Sequence, residues 1–428
     1  MFTKKTIHDI DINNKRVLVR VDYNVPLDSK GSITNDYRIK QSLPTLNTLL
    51  EKGCSLILCS HLGRPTGPKD KSCSLKPVAE RLSKMIGKEV LFAPNAVGKE
   101  AVRMANELCP GQILLLENLR YHKEEEANNE DFAKNLASLG EVFVQEGFGV
   151  VHRAHASTDA VTRFLPSVAG FLLEKEVDTI TSVMENPERP VAAILGGAKI
   201  TDKIEILNRF IDIADFVAIG GAMSNTFLLA RGIDIGKSKA DPGDIGLAKD
   251  IIEKAKNKAA KQRFIFYVPQ DGVVAESLDR TAHTRIVDWD AHVIASIENY
   301  PKRPPRSTER IGKHEMILDI GPFSGAFIAG GIQLASTVIW NGAMGVTETP
   351  SLQGPIGPFA HGTDIIVDAM LGQYGHKPFT VLGGGDTVGY VEDRQLIDSF
   401  NHVSTGGGAS MELMSGKTLP GVEALIDK

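Results

Sequence analysis

The sequence predicts an α/β protein built on parallel sheets and divided into two domains. Three observations carry this. Short apolar runs, each the length of one buried strand, alternate with segments of helical period along all 428 residues. A chain of that length exceeds one ordinary core. A polar stretch with two prolines, Glu185-Asn186-Pro187-Glu188-Arg189-Pro190, splits the series into halves that each suit one α/β domain.

In the first half, Val17-Leu18-Val19, Leu56-Ile57-Leu58, Ile113–Leu116 and Val142-Phe143-Val144 read as strands. Leu75–Ile86 carries a helical stripe ended by Gly87, and Asp131–Leu139 another ended by Gly140. Glycine just past the last turn is the expected stop. Phe171–Met184 reads as a helix bridging the halves. The second series of strands is Val191–Leu195, Phe216–Ile219, Phe264–Val268, Ile317–Ile320, Val338–Trp340 and Val381-Leu382. Tyr300-Pro301-Lys302-Arg303-Pro304-Pro305-Arg306 reads as a surface loop without catalytic duty.

Composition narrows the function. Hydrophobic content of 42% and charged content of 24% are ordinary for a globular protein. A net charge of −5 argues against a dedicated nucleic-acid binder. No apolar run approaches the ~20 residues of a membrane span, and the start, Met1-Phe2-Thr3-Lys4-Lys5, lacks a signal-peptide core. A cytoplasmic location is therefore expected. Cys54, Cys59, Cys73 and Cys109 fit no zinc spacing and read as reduced, idle thiols.

The halves differ in the chemistry they carry at strand ends, where open α/β sheets bind ligands. The first half places cations there: Arg20 to Pro26 after one strand, Ser60-His61-Leu62-Gly63-Arg64-Pro65 after the next, then Glu117-Asn118-Leu119-Arg120, and His152-Arg153-Ala154-His155. Repeated guanidinium groups at one edge suit a multiply charged anion. The second half places glycines there: Gly196-Gly197, Gly220-Gly221, Asn341-Gly342, Gly383-Gly384-Gly385 and Gly406-Gly407-Gly408. Glycine lets backbone N–H groups approach a ligand closely.

The first of these turns, Gly196 to Lys203, joins a strand to a helix and carries Lys199 and Lys203 four residues apart. On a helix that spacing puts both ammonium groups on one face, where an anion at the helix start would meet them. The same residues also suit a plain turn with two solvated lysines. No Walker A loop and no G-x-G-x-x-G run occurs. Asp386 suits a magnesium ligand and a helix N-cap equally. Two anion sites of different kinds, one in each half, describe a phosphotransferase. A carboxylate acceptor would need no general base, and no Ser-His-Asp or Cys-His pairing is evident.

Together these segments resemble the phosphoglycerate kinase family. The match runs through RVLVRVDYNVPL (16–27), SHLGRP (60–65), LLLENLRYHKEEE (114–126), HRAHAST (152–158) and GGAKITDKIEIL (196–207). It continues in DIGP (319–322), WNGAMGVTE (340–348), GGGDT (383–387) and HVSTGGGASMELMSGKTLPGVEAL (402–425). The motifs stand in family order over almost the whole chain. The resemblance implies two Rossmann-like domains, 1–171 and 187–408, joined by a helix at 172–186, with a tail at 409–428 returning to the first domain. It implies a monomer that closes around its substrates. It implies transfer between ATP and the carboxylate of 3-phosphoglycerate, with Mg²⁺ as cofactor and no nucleic-acid or membrane partner.

By the same resemblance, Asp22, Asn24, Arg38, His61, Arg64, Arg120 and Arg153 bind 3-phosphoglycerate. Arg38 and Lys199 approach the transferring group, and the amides of Gly384 and Gly407 cap it. Lys203 and Thr387 hold nucleotide phosphate, in a loop made by Gly383, Gly384 and Gly385. Gly197, Gly221, Asn341 and Glu348 line the adenosine site, and Asp386 ligates Mg²⁺. Some positions depart from the family pattern. Gln145-Glu146-Gly147 replaces Asn-Asp-Ala, Ala343 replaces Pro, Thr347 replaces Phe and Phe323 replaces Lys. The segment 285–314 is longer than usual. Gly147 is expected to loosen the strand end that positions Arg153. A binding protein that has lost catalysis would lack Arg38, Lys199 or Asp386, and all three are present. A nicotinamide dehydrogenase would need the glycine fingerprint that is missing.

Overall fold

The computed structural model describes residues 2–67, 70–289 and 310–428. The Pro-rich run 300–306 and most of the long segment 285–314 lie outside them. The described chain forms two compact units, Met1–Thr181 with Lys417–Lys428, and Ser182–Gly416. The dividing line falls inside the helix Phe171–Glu185.

In the first unit, β1 (Arg16–Arg20), β2 (Ser55–Cys59), β3 (Val90–Phe92), β4 (Ile113–Leu115), β5 (Val142–Gln145) and β6 (Ser167–Ala169) form one sheet. Its order is β3-β4-β2-β1-β5-β6, and every pair is parallel. β1 and β2 are apolar without alternation because helices cover both faces. Val17, Leu18, Val19, Leu56, Ile57 and Leu58 are all fully buried. Each such side chain contributes about 1.5–3 kcal/mol. The strand order reverses at β1, with β2 on one side and β5 on the other, so a crevice opens at the carboxyl end of β1.

The second unit repeats the plan with β7 (Val191–Leu195), β8 (Phe216–Ile219), β9 (Ile265–Tyr267), and, later in the chain, three more strands. Between them come β10 (Asp271–Ala275), β11 (Arg285–Asp288) and β12 (Met316–Ile320). β13 (Thr337–Asn341), β14 (Phe379–Gly383) and β15 (His402–Val403) complete a parallel sheet of order β15-β14-β13-β7-β8-β9. Its order reverses at β7, flanked by β13 and β8, and the glycine turns after β7 and β13 sit at that switch point.

Two local expectations are corrected. Ile317–Ile320 is a strand, but it pairs antiparallel in the separate sheet β11-β10-β12. Its apolar run looks like a parallel core strand because the helices Gly221–Ala230 and His361–Met370 pack against it, and Leu318, Asp319 and Ile320 are buried. The second helix is Glu130–Ala137, capped by the Asn129 side chain, and it ends at Ser138 before Gly140 is reached. Gly140 instead makes room: a Cβ there would stand 3.0 Å from the Leu18 Cβ and backbone N. Gly87 does end its helix, in the left-handed conformation at φ +69.

The tail that joins the first unit begins at Lys417, later than the expected 409. Lys5 N–H donates to Ile426 O at 2.7 Å, and Ile426 N–H donates to Ser167 O at 3.1 Å. Lys4 Nζ reaches Asp427 Oδ1 at 2.7 Å. The helix Gly407–Met414 stays with the second unit, where Ser410 Oγ lies 3.1 Å from where a Cβ on Gly383 would be.

Candidate functional site

The first unit gathers its cations where β1 ends. Arg20, the last residue of β1, is buried, and its Nε donates to Ser157 Oγ at 2.8 Å. Ser157 Oγ in turn donates to Glu125 Oε1 at 2.5 Å. The other side of the same guanidinium meets His61 Nδ1 at 3.3 Å. Burial holds the His61 imidazole well below its ordinary range, Asp22 opposes this, and Arg20, Arg120 and Arg38 add to it. His61 is therefore neutral at physiological pH, with Nδ1 accepting from Arg20.

Asp22 is the anionic member of this group. Its Oδ2 accepts from Arg38 Nη1 at 2.7 Å, and His61 Nδ1 lies 3.9 Å from its Oδ1. Burial opposes its charge, but the guanidinium groups of Arg38 and Arg20 and the N–H of Asn24 outweigh that and hold the carboxyl below its usual range. Asn24 Oδ1 accepts from Gly63 N–H at 2.8 Å, which fixes the loop after β2. Arg120 Nη1 donates to Gly63 O at 2.8 Å and its Nε pairs with Glu126 at 2.9 Å. Burial lowers the Arg120 pKa, Glu126 opposes this, and the charges of Arg153, Arg20 and Arg64 lower it further. Arg64 and Arg153 are exposed. The expected residues Asp22, Asn24, Arg38, His61 and Arg120 thus form one connected set. Arg64 and Arg153 stand close enough to act on it by charge. Such a crowd of guanidinium groups is relieved by an anion.

Sequence reading missed the inner support of this basin. Arg20, Glu125 and Ser157 lie within quoted motifs, but their pairing joins positions far apart in the chain. Asn118 belongs with them: its Oδ1 accepts from Leu62 and Arg120 N–H, and its Nδ2 donates to Leu62 O and Cys73 O.

The departures at 145–147 sit beside the basin. Glu146 is fully buried, and a Cβ on Gly170 would stand 1.9 Å from its Oε2, so Gly170 is what accommodates the carboxyl. At Gly147 the backbone is crowded. Its φ is −81, and a Cβ would meet Val21 C, Asp22 N and Arg20 O at 3.1–3.3 Å. The position is one of close backbone approach.

In the second unit the turns after β7, β8 and β13 pack against one another. Gly196 N–H donates to Asn341 O at 3.0 Å and Gly221 N–H to Met344 O at 2.9 Å. A Cβ on Gly196 would lie 2.0 Å from Ala343 O, and one on Gly221 2.8 Å from Gly197 N. Gly221 has φ +65 and Gly384 φ +91, conformations that disfavour a side chain. These turns border a cleft of about 290 Å³ whose lining includes Gly197, Gly221, Glu348 and Asp386.

Lys203 is held beneath the turns. Its Nζ donates to Gly196 O and to Asn341 Oδ1, each at 2.6 Å. Burial lowers its ammonium to about 8, against the opposing charges of Asp386 and Asp202. Asn341 Nδ2 is buried with no partner among the described residues, and Asn341 does not line the cleft. Thr387 Oγ1 accepts from Gly342 N–H at 2.5 Å, which locks the turn after β13 to the helix Gly385–Asp393. Gly383 ends β14, Gly384 caps that helix and Gly385 opens it. Gly407 opens the helix Gly407–Met414 at φ +33.

Lys199 and Lys203 do not share a helix face. Thr201–Lys203 is a single 3₁₀ turn, Lys203 breaks it at φ −129, and the α-helix starts at Ile204. Asp244 binds Thr201 through both N–H and Oγ1, which anchors the turn in that shape. Lys199, half exposed, pairs with Asp241 at 3.3 Å. Asp386 is not an N-cap, because Gly384 holds that position. Its carboxylate is exposed at the second helical residue and lines the cleft. Mg²⁺ takes one or two carboxylates and completes its shell with other oxygens, so the residues present, a lone exposed Asp beside glycine turns, fit it. Among the described residues no three His, Cys, Asp or Glu side chains gather into a cage.

The four cysteines are free, with Cys54 and Cys59 buried. Burial pushes the Cys59 thiol up to about 12, which makes it inert.

Comparison with known proteins agrees with the motif order. The family model described as Phosphoglycerate kinase matches residues 7–417. The phosphoglycerate kinase of Moorella thermoacetica is 43% identical over 425 residues, covering 99% of this chain and 100% of that protein. That of Chloroherpeton thalassium is 45% identical over 423 residues, covering 99% of each. Among solved structures, phosphoglycerate kinase from Coxiella burnetii superposes with a TM-score of 0.79 at 34% identity, covering 98% of each chain. That from Pyrococcus horikoshii OT3 gives 0.82 at 27% identity, over 99% of this chain and 98% of the other.

Proposed function

This chain belongs to the phosphoglycerate kinase family, a family of enzymes, and on that premise we propose that it transfers a phosphoryl group reversibly between ATP and the carboxylate of 3-phosphoglycerate, giving ADP and 1,3-bisphosphoglycerate. The observation that carries the reading is the guanidinium basin in the first unit. Arg20, Arg38, Arg64, Arg120 and Arg153 surround one neutral histidine and one anchored aspartate. That excess of fixed positive charge suits a small acid bearing both a carboxylate and a phosphate.

The attacking carboxylate is already ionised near pH 7, so no side chain need take a proton. His61 orients the basin through Arg20 and carries no proton traffic. Arg38, anchored by Asp22, directs a cation at the transferring group from the acceptor side. Lys199 supplies one from the nucleotide side. The N–H groups of Gly384 and Gly407 start two helices, where charge developing on the phosphoryl oxygens is stabilised. Lys203, Thr387 and the 383–385 loop hold nucleotide phosphates, and Gly197, Gly221, Asn341 and Glu348 surround the nucleoside. Asp386 would hold Mg²⁺, which neutralises phosphate charge when bound. Closure around both substrates would exclude water and suppress ATP hydrolysis. The reading further takes the chain to act as a cytoplasmic monomer in glycolysis.

The test is ADP formation from ATP and Mg²⁺ with and without 3-phosphoglycerate, the acyl phosphate being drawn off by a coupled dehydrogenase. Turnover only with 3-phosphoglycerate is expected. Folded protein that binds ATP and gives none would overturn the proposal.

A further inference from the structure

The cleft of the second unit carries a cation that phosphate binding leaves unused. The segment Gly236–Lys239 runs along β12. Lys237 N–H donates to Glu315 O at 2.8 Å, and Ile317 N–H donates to Ser238 Oγ at 2.8 Å. Gly236 permits this approach, at φ +58, where a Cβ would stand 2.5 Å from Gly312 O. Asn225 Nδ2 holds Lys239 O at 2.9 Å. The Lys239 backbone is thereby fixed beside Ile317, and both residues line the cleft.

Lys239 is the one Lys or Arg among the described lining residues, and it is exposed. The buried carboxylates of the lining are committed elsewhere. Asp271 accepts from the N–H groups of Phe323 and Ser324 at 3.0 and 2.8 Å. Asp319 accepts from Gly362 and Ile320 N–H, both at 2.8 Å, and burial pushes its carboxyl up to about 8, so it is uncharged at neutral pH. The surrounding wall is apolar: Met316, Ile317 and Leu318 of β12, with the indole of Trp289. That ring is held by its Nε1–H, which donates to Pro269 O at 2.8 Å. Gly272 leaves room for it, since a Cβ there would stand 2.5 Å from the ring.

We propose, on the nucleotide reading of this cleft, that Lys239 selects the base and favours 6-oxo purine nucleotides over adenine nucleotides. The apolar wall and indole accept the face of any purine, so they do not discriminate. The edge does. An ammonium only donates, and guanine presents two acceptors, O6 and N7, on one edge. Adenine replaces O6 with an amino donor, which would face the ammonium donor to donor.

The test is calorimetric titration of the full chain with Mg·GDP and Mg·ADP, for wild type, Lys239→Met and Lys239→Arg. Turnover with GTP and with ATP is measured in parallel. Wild type should bind GDP about tenfold tighter than ADP. Lys239→Met should bring the ratio close to one with unchanged circular dichroism, and Lys239→Arg should keep the preference. Equal affinities in wild type, or a ratio that Lys239→Met leaves unaltered, would overturn base selection while leaving the kinase reading intact. Failure of both nucleotides to bind would overturn the nucleotide reading itself. Binding with the expected ratio but no 3-phosphoglycerate-dependent turnover would overturn the kinase reading and uphold base selection.

Discussion

Replacing Arg38 by Ala separates two roles that one guanidinium plays. Arg38 lies 2.7 Å from Asp22, whose side chain is only 6% exposed. Removing one partner of a buried ion pair costs about 3–5 kcal/mol, because the remaining charge is left desolvated. The Arg38 side chain is 29% exposed, so water screens part of the pair, and Arg20 still faces Asp22. The expected loss is therefore about 2–3 kcal/mol at pH 7. Arg38 is one of the cations that hold Asp22 below its usual range, so the stability it contributes is present above that range. It is lost as pH falls through the folded-state pKa. The deficit of Arg38→Ala should accordingly shrink in acid. Adding Asp22→Asn removes the stranded charge and should restore most of the stability. Turnover should stay low in both variants, because the amide cannot supply the missing cation. Urea unfolding followed by circular dichroism gives the stabilities, and the coupled assay gives the rates. An Arg38→Ala protein within about 0.5 kcal/mol of wild type would refute the packing argument. A double variant that regains turnover would refute the catalytic one.

Other consequences follow from the same geometry. Lys199→Ala should lower turnover about a hundredfold and leave stability almost unchanged, since its pair with Asp241 is exposed and weak; undiminished turnover would remove Lys199 from the mechanism. Burial raises the Glu146 carboxyl from 4.5 to about 8, against hydrogen bonds from Thr45, Leu172 and Leu173. The fold keeps that proton while the unfolded chain gives it up, so stability should fall as pH rises from 4.5 to about 8. Glu146→Gln should match wild type near the bottom of that window and exceed it by about 3 kcal/mol at pH 7, whereas a pH-independent difference would show that the carboxyl is not the cause. The Lys203 ammonium, lowered by burial to about 8, should make ADP affinity decline as pH rises past that value. Titrations of Lys203→Met should show a flat profile, and an equally steep one would assign the decline to another group. Because His61 is held far below neutrality, the rate should not change with its titration between pH 6 and 7.5.

The sequence by itself determined the α/β class, most of the strands and the glycine turns. These depend on short-range rules: unbroken apolar runs for strands covered on both faces, and turns where a Cβ would strike backbone, as at Gly196 and Gly221. It also pointed to the cationic strand ends, because each stands within a few residues of its strand. Only the tertiary structure decided which of these groups act together. The chain Glu125–Ser157–Arg20–His61 joins four segments, and nothing local in any of them marks the pairing. The antiparallel placement of β12 depends on β10, some forty residues earlier in the chain, so its apolar run alone could not distinguish the two sheets. Lys199 and Lys203 have the spacing of helical neighbours, yet Asp244 and the carbonyls of Gly196 and Asn341 pull them into different surroundings. Lys239 reads as one more surface lysine until β12 places it in the cleft. Periodicity records which face a residue turns inward, while the identity of what waits there is set by long-range packing.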